Sequence, residues 1–372
     1  MLRLRNKAVD VGVVASRRWL QSSCAMRSSF GMAFDIDGVL VRGPEVLPGA
    51  RESLRALEDA RVPFVFVTNG GGCTEEAKAK ELTVKLGVDV QRSMVVLSHS
   101  PMRTLAQEYS GKRVMVLGSS AKRIAEEDLG LSETVTPEEF AGEWPGIFHF
   151  TGDGYYVKRN FPERKANGEK PRPVSAIMVL HDPLDWALEV QVVVDVLHGG
   201  NPPGSGGSPQ TPMHISNPDF VFASAYQEPR FAAGAFADTV RMLYSKRYGT
   251  GKPEIEVFGK PTRSTFDYAR KLLESRSAVI GPPPPSPGAG KSVAGGRKLE
   301  RIYMVGDNPS GDIRGANAAG PPWVSNLVRT GVYGDTPGGG NNDAADPAHF
   351  VHNHVGDCVN FVMEQEARSS RD

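Results

Sequence analysis

The 372-residue chain has few cysteines, no excess of charge of either sign and no long apolar run. Its three cysteines, Cys24, Cys73 and Cys358, lie far apart and lack metal-ligand spacing, which argues against a disulfide framework and favours a reducing compartment. Lysine plus arginine equals aspartate plus glutamate at 43 each, so the basic excess typical of nucleic-acid-binding proteins is missing. Without a long apolar segment, we expect no membrane span. The length suits two domains of ordinary size.

Acidic residues are scarce at the N-terminus, where Asp10 is the only one among the first thirty residues. Arginine, lysine and serine are frequent in the same segment, a composition typical of a mitochondrial transit peptide. A disordered tail without a role is the alternative, and a secretory signal would need an apolar core that is missing here. The sequence therefore predicts a transit peptide or disordered leader over residues 1–30 and a location in the mitochondrial matrix.

Two carboxylates, Asp35 and Asp37, follow the apolar run 31–34, which predicts a buried strand. Because side chains alternate along a strand, both can point the same way at its C-terminal end. Carboxylates this close repel each other unless a cation lies between them. With Mg²⁺ present, one can attack phosphorus while the other handles the proton. The pair alone is weak evidence, since metal-binding glycosyltransferases also carry an Asp-x-Asp.

A second buried strand, 62–67, ends in Thr68 and Asn69 followed by three glycines. A hydroxyl and exposed backbone N–H groups at such a turn suit an anionic oxygen. The residues that follow the turn, 75–86, predict a helix. Much later, residues 255–258 lead into Lys260, and we expect Pro261 to begin a helix, which would place Lys260 at a positive helix N-terminus.

The last of these patterns is an apolar strand over residues 302–306 that ends in Asp307, with Asp312 five residues further on. In an open parallel sheet, ligands bind outside the carboxyl ends of the strands. We therefore expect all four strand ends to belong to one sheet and to converge on one site.

With these four motifs in this order, the chain resembles the haloacid dehalogenase-type (HAD) hydrolases of subclass IIA over about residues 31–363. The segments 97–102 and 305–309 are similar, more narrowly, to the mitochondrial group named after the cat eye syndrome critical region, also called HAD-like hydrolase domain-containing protein 5. The resemblance implies an α/β fold, a three-layer Rossmann-like core with a parallel sheet and an inserted α/β cap domain of type C2.

The same resemblance assigns roles to the acidic residues. It makes Asp35 the nucleophile and Asp37 the general acid and base of a phosphatase. Mg²⁺ would be bound by Asp35, the carbonyl of Asp37 and Asp307, with Asp312 supporting the site. The implied reaction is hydrolysis of a phosphoric monoester through an aspartyl-phosphate.

Phosphate binding is assigned by the resemblance to Thr68, Asn69 and Lys260. The implied substrate is a small phosphorylated molecule that the sequence does not identify further. Dimers formed through the cap are common in such families, so a homodimer is possible.

The distance along the chain from Thr68 to Lys260 exceeds what one crossover helix needs, which predicts an inserted cap. We expect a first core part at 31–103, the cap at 104–220 and a second core part at 221–365. Within the last, residues 281–297 are rich in proline and glycine and predict a low-complexity loop.

Two other functions stay open on the sequence alone. One is a different HAD chemistry, such as phosphonate cleavage or transfer to an acceptor other than water. The other is a binding or scaffolding protein with little turnover, against which the complete set of motif residues argues. Ser310 and Gly311 stand where many subclass members place a threonine before the final aspartate, which predicts weaker metal binding without a change of chemistry.

Several polar residues have a plainer interpretation. The segment 217–219, Asn-Pro-Asp, indicates first of all a turn. For His99 a structural or capping role is expected, and for His181 a turn role and a substrate contact are equally consistent with the sequence. The basic run at 158–172 predicts a solvated loop, with contact to an anionic substrate as the alternative.

Overall fold

The computed structural model describes most of the chain from Ser29 to Ser369. The residues in that range that it leaves out are 145, 150–171, 208–209, 223, 225, 250–252, 281–297 and 335–340. The expected leader, almost all of the basic run 158–172 and the low-complexity loop 281–297 therefore lie outside the described residues. Within the described part, no helix is both long enough and apolar enough to cross a membrane.

Fifteen strands occur among the described residues. They are β1 (Phe30–Phe34), β2 (Val41–Arg42), β3 (Glu45–Val46), β4 (Phe64–Val67), β5 (Val95–Val96), β6 (Val114–Leu117), β7 (Thr134–Val135), β8 (Ala176–Val179), β9 (Met213–Ile215), β10 (Val221–Phe222), β11 (Arg230–Phe231), β12 (Ile255–Val257), β13 (Arg301–Gly306), β14 (Trp323–Val328) and β15 (Phe350–His352).

The α-helices of the same part of the chain number nine. They are α1 (Ala50–Asp59), α2 (Glu75–Leu86), α3 (Ala121–Glu127), α4 (Pro137–Glu143), α5 (Trp186–His198), α6 (Ala233–Tyr248), α7 (Arg263–Ile280), α8 (Arg314–Ala319) and α9 (Val355–Ser369). Short helical turns of other types are Arg92–Met94, Ser100–Leu105 and Pro309–Ile313.

The larger sheet has the strand order β15-β14-β13-β1-β4-β5, and its pairings are parallel. Strand β1 lies at its centre, with Met32 opposite Tyr303 on one side and Phe64 on the other. Every residue of β1 is buried, as expected of a parallel strand covered on both faces. The expected Rossmann-like parallel core is confirmed.

Helices cover both faces of this sheet and make three layers. On one face, Phe34 and Phe66 share a buried cluster with Leu54 of α1 and Val362 of α9. On the other face, Ala33, Val65 and Met304 pack with Phe266 and Leu273 of α7. The two clusters use alternate residues of the same strands, which is the two-residue period of a β-strand. The carboxyl ends of the strands are left for the site.

The smaller sheet is also parallel, with the order β12-β9-β8-β6-β7. Phe140 of α4, Leu188 of α5 and Phe236 of α6 pack on one of its faces. Ile124 of α3 packs on the other face with Met178 and other residues. This second α/β unit is inserted between β5 and β13 of the larger sheet, in the manner of the expected cap.

The second unit reaches further along the chain than the expected cap end at residue 220. Strand β12 pairs with β9, and α6 packs in the same apolar cluster as α5. Residues up to Val257 thus share the hydrogen bonding and the core of the smaller sheet. We propose that the cap ends near residue 258, because the periodicity of one strand does not reveal which sheet it joins.

Local signals explain where the helix α2 begins and ends. Thr74 has an extended backbone, and its side chain accepts a hydrogen bond from the Ala77 N–H at 3.3 Å. Such N-caps satisfy one of the free N–H groups of the first turn. At the other end Gly87 adopts a left-handed conformation with φ of 69°, the usual glycine C-cap. The helix therefore spans the residues that the sequence predicts.

A buried ionic network joins the core to the smaller unit. His99 Nε2 lies 2.8 Å from Asp128 Oδ2, and both side chains are inaccessible to solvent. Arg92 Nη2 lies 3.1 Å from Asp128 Oδ1, and Arg92 Nε lies 3.0 Å from Glu75 Oε2. Asp128 directly follows α3, whereas the other three residues belong to the core side. These contacts agree with the structural role expected for His99.

Candidate active site

The end of β1 places Asp35 at the centre of the larger sheet. The Asp35 N–H donates to the carbonyl of Val305 at 2.9 Å, so the ends of β1 and β13 lie side by side. Asp35 is buried, whereas Asp37 is exposed. Between Asp37 and the next strand, Gly38 turns the chain with φ of +83°. The two carboxylates therefore differ in environment, one inside the site and one at its opening.

The end of β13 supplies two further carboxylates. Asp307 follows the strand directly and accepts a hydrogen bond from the Val332 N–H at 2.7 Å. Asp312 Oδ2 accepts from the Asn308 N–H at 3.1 Å. Gly306 leaves room for this carboxyl, because a Cβ there would lie 2.2 Å from the Cβ of Asp312. Both carboxylates are thus fixed by backbone contacts.

Hydrogen bonds to Asn308 order the turn in which Ser310 and Gly311 precede Asp312. Ser310 Oγ donates to Asn308 Oδ1 at 2.8 Å, and the N–H groups of Ser310 and Gly311 donate to the same oxygen. Asn308 therefore caps the turn that carries Asp312. The turn before Asp312 is therefore closed by hydrogen bonds, and the weaker metal binding expected from Ser310 and Gly311 stays a prediction.

Oxygen atoms of Asp35, Asp307 and Asp312 all lie within 4.8 Å of one another, and the three residues are buried. Burial, with the Asp35 and Asp312 charges, raises the pKa of Asp307 to about 8. Burial also raises the pKa of Asp312 to about 6, although Lys260 opposes it. Three converging carboxylates are the donor set of a hard divalent cation, so the residues fit the expected Mg²⁺ site.

Lys260 is the buried cation of the site, with 4% of its surface exposed. Its Nζ lies 2.7 Å from Asp35 Oδ1 and 2.6 Å from Asp312 Oδ1, and it donates to the Val67 carbonyl at 3.0 Å. Burial lowers the pKa of Lys260, but the Asp312 and Asp35 carboxylates outweigh it and raise the pKa above its usual range. Lys260 is therefore charged.

Two expectations about Lys260 are corrected by the fold. It follows β12, which belongs to the smaller sheet, so only three of the four strand ends come from the larger sheet. The next helix, α7, begins at Arg263 rather than at Pro261, and Lys260 therefore does not occupy the helix N-terminus. The ammonium reaches the site because the end of β12 lies against the end of β4.

Thr68 and Asn69 follow β4, as predicted, but their side chains have different surroundings. Thr68 is buried, and its Oγ1 accepts from the Gly70 N–H at 2.9 Å. Asn69 uses its amide for Lys260 and Asp219: it accepts from the Lys260 N–H at 2.7 Å and donates to the Lys260 carbonyl at 2.9 Å. Its contacts with both oxygens of Asp219 measure 3.2 Å. The side-chain amide of Asn69 is thus hydrogen-bonded to Lys260 and Asp219, and its predicted phosphate-binding role stays a prediction.

Three residues near the site carried no decisive sequence signal. Asp219 contacts Asn69, whereas the Asn-Pro-Asp segment indicated first of all a turn. Thr330 Oγ1 donates to the Gly38 carbonyl at 2.6 Å and holds the turn after β1. The ring of His181 lies against the glycine turn after β4, where a Cβ at Gly72 would come within 3.0 Å of it. Burial lowers the pKa of His181.

Comparison with known proteins agrees with this geometry. Residues 32–132 match the family model of the haloacid dehalogenase-like hydrolases, and residues 257–358 match that of HAD-hydrolase-like proteins. The chain is 33% identical to a mitochondrial hydrolase of Saccharomyces cerevisiae over 90% of its own length and 96% of the relative's. It is also 33% identical to the glycerol-3-phosphate phosphatase of Homo sapiens, over 88% of each chain. The 4-nitrophenylphosphatase of Thermotoga maritima shares the fold, with a TM-score of 0.58 at 19% identity over 90% of this chain and 97% of that one.

The chain therefore belongs to the haloacid dehalogenase-like hydrolases. Within that family it is a HAD-type phosphatase, as the resemblance to subclass IIA predicted. The yeast relative is a mitochondrial protein, which supports the mitochondrial location expected from the N-terminal composition.

Proposed function

We propose that the protein is a Mg²⁺-dependent phosphatase that hydrolyses a small phosphorylated metabolite through an aspartyl-phosphate on Asp35. The observation that carries the proposal is the contact of Asp35 with the buried ammonium of Lys260, next to the buried carboxylates of Asp307 and Asp312. This arrangement joins a nucleophile, a fixed positive charge and a cation-binding set in one buried place. Each is a standard requirement of phosphoryl transfer.

The first chemical step transfers the phosphoryl group to the protein. A carboxylate oxygen of Asp35 bonds to phosphorus while the bond from phosphorus to the leaving oxygen breaks. Protonated Asp37 gives its proton to that oxygen, and its exposure allows contact with an entering substrate. Lys260 stabilises negative charge on the transferring oxygens and also holds one oxygen of Asp35. Thr68 would donate its hydroxyl to a phosphoryl oxygen.

The second step returns the protein to its starting state. A water oxygen bonds to phosphorus, its proton goes to Asp37, and the bond between phosphorus and Asp35 breaks to release inorganic phosphate. Mg²⁺ would be held by Asp35, the carbonyl of Asp37, Asp307 and Asp312, and would supply further neutralisation of the phosphoryl charge. The smaller α/β unit would cover the site during both steps and exclude bulk water.

The remaining parts of the proposal concern substrate and location. The human relative is named for a small phosphorylated substrate, and the arrangement of a phosphate site beneath an inserted cap is in keeping with a small leaving group. We place the enzyme in the mitochondrial matrix, in accordance with the basic and acid-poor N-terminus. A homodimer formed through the cap is part of the same proposal.

The test is hydrolysis of 4-nitrophenyl phosphate by the full chain, with Mg²⁺ and with EDTA, next to Asp35→Asn. We expect metal-dependent release of phosphate that is lost in Asp35→Asn and retained in Asp59→Asn, which removes an exposed carboxylate at the end of α1. If the wild type and Asp35→Asn are equally inert towards this probe and towards a panel of phosphorylated metabolites while both are folded, the proposal is wrong and a scaffolding role gains support.

A further inference from the structure

Asn69 connects three parts of the protein through one side-chain amide. It follows β4 of the core, and its oxygen accepts from the Lys260 N–H at 2.7 Å. Its NH₂ group donates to the Lys260 carbonyl at 2.9 Å and to the carboxylate of Asp219 at 3.2 Å. The same amide therefore forms hydrogen bonds with both the backbone N–H and the backbone carbonyl of Lys260.

Asp219 and Lys260 reach this amide from neighbouring strands of the smaller sheet. Asp219 comes four residues after β9, and Lys260 three residues after β12, its parallel neighbour. The two connections pack closely, because a Cβ at Gly259 would lie 2.6 Å from the Ser216 carbonyl and 3.1 Å from Asn69 Oδ1. Asp219 and Lys260 thus lie side by side at the end of the smaller sheet, and both contact Asn69 of the core.

The chemistry of the three groups fixes the direction of the amide. An ionised carboxylate only accepts hydrogen bonds, so the NH₂ group of Asn69 must face Asp219. The oxygen of Asn69 then faces the Lys260 N–H. The N–H and the carbonyl of Lys260 favour the same direction, since a rotated amide would face a donor with a donor and an acceptor with an acceptor. The carboxylate of Asp219 adds to this preference by accepting from the same NH₂ group. Asp219 is half-buried, which strengthens its hydrogen bonds relative to a solvated pair.

We propose that Asp219 is a positioning residue for catalysis: through Asn69 it fixes the backbone of Lys260 and thereby the placement of the ammonium beside Asp35. The inference rests on the proposed phosphatase function. In this proposal the Asn-Pro-Asp segment of the cap contributes to catalysis indirectly. Asn69 links Asp219 to Lys260 and is not itself a phosphate ligand.

The first test compares Asp219→Ala, Asp219→Asn and Asp238→Ala in the full chain with 4-nitrophenyl phosphate and Mg²⁺. Removing one hydrogen bond that involves a charge should lower kcat by about 10- to 100-fold in Asp219→Ala, with a smaller change in KM. Asp219→Asn keeps an acceptor and should stay within about fivefold of the wild type. Asp238→Ala removes an exposed carboxylate of α6 and should have no effect. A merely structural role would lower the melting temperature but leave kcat per folded molecule unchanged, and that result would overturn the proposal.

The second test exchanges the two partners. Asn69→Asp alone sets two carboxylates against each other and removes the donor to the Lys260 carbonyl. Combining it with Asp219→Asn restores a donor between residues 69 and 219 and keeps the acceptor for the Lys260 N–H, while the contact with the Lys260 carbonyl stays lost in both variants. We expect kcat of the double variant to be at least about tenfold higher than kcat of Asn69→Asp. No recovery would contradict the proposal.

A third readout separates this inference from the proposed function. Binding of inorganic phosphate, measured by calorimetry with Mg²⁺, should weaken in Asp219→Ala and recover in Asp219→Asn, whether or not the wild type turns over the aryl phosphate. An inactive wild type would count against the phosphatase. Unchanged phosphate affinity in Asp219→Ala would count against the positioning role.

Discussion

Lys260 Nζ lies 2.7 Å from Asp35 Oδ1, although the two residues follow strands of different sheets. Asp35 ends β1 at the centre of the core, and Lys260 leaves β12 at the edge of the smaller unit. A second carboxylate, Asp312, lies 2.6 Å from the same ammonium. One side chain thus joins the two α/β units and neutralises part of a buried acidic cluster.

Replacing Lys260 by methionine should damage both stability and activity. The change leaves Asp35 and Asp312 without their cation in a buried place, and breaking such a pair typically costs about 3–5 kcal/mol. We expect a loss of this size in the free energy of unfolding, measured by urea denaturation without metal, and a kcat lower by about 100-fold or more. Lys80→Met, which removes an exposed i,i+4 pair with Glu76, should change the free energy by about 0.5 kcal/mol or less. Equal effects of the two substitutions would show that the buried contacts do not matter.

The raised pKa of Asp307, about 8, predicts how pH and metal act together. A folded-state pKa above that of the unfolded chain contributes stability that is complete below the unfolded value and is lost as pH rises through the folded one. The metal-free protein should therefore lose stability between about pH 4 and pH 8, and a bound cation should offset this by favouring the ionised form.

The measurement is the melting temperature with EDTA and with excess Mg²⁺ at pH 6 and pH 8. We expect the gain from Mg²⁺ to be larger at pH 8, and calorimetry at pH 7 to show that metal binding releases protons. Asp307→Asn should remove most of the difference between the two pH values. If Mg²⁺ raised the melting temperature equally at pH 6 and pH 8 and its binding released no protons, the raised pKa of Asp307 would be contradicted.

The buried contact of His99 with Asp128 should be structural and separable from catalysis. Asp128→Ala leaves His99 without its carboxylate and Arg92 with Glu75 alone, and we expect a loss of about 3 kcal/mol in the free energy of unfolding. kcat per folded molecule should stay within about threefold of the wild type, since no contact of Asp128 reaches the acidic cluster. Glu127→Ala, which removes an exposed pair with Arg123, is the control and should cost less than about 1 kcal/mol. A kcat that falls with Asp128→Ala would assign the network a part in the reaction.

Much of the architecture could be predicted from the sequence because its signals are local. Helix α2 spans Glu75–Leu86, as its pattern predicts, since a threonine cap and a glycine stop mark both ends. The positions of Asp35, Thr68 and Asp307 at strand ends follow from apolar runs that are buried on both faces. In each case a few neighbouring residues carry the information.

The remaining features depend on contacts between distant residues. Strand β12 has the same kind of pattern as a core strand, and only its pairing with β9 assigns it to the smaller sheet. The partnership of Asp219 with Asn69 joins residues 150 positions apart, and a turn motif gives no sign of it. Sequence periodicity describes one strand at a time and therefore says little about which strands become neighbours.

Gly38 offers the sharpest test of the packing around the acidic cluster. Its φ of +83° disfavours any other residue, and a Cβ there would lie 2.3 Å from Asp307 Oδ2 and 3.1 Å from Gly331 Cα. Gly43 has a φ of +57° but no atom within 4 Å of such a Cβ. Both Gly38→Ala and Gly43→Ala should cost about 1–2 kcal/mol for the left-handed backbone, but only Gly38→Ala should displace Asp307 and weaken Mg²⁺ affinity and kcat by at least about tenfold. The two positions share a left-handed backbone, but only a Cβ at Gly38 would clash with Asp307. Equal metal affinity in the two variants, measured by calorimetry, would therefore show that Asp307 can move aside without loss of Mg²⁺ binding.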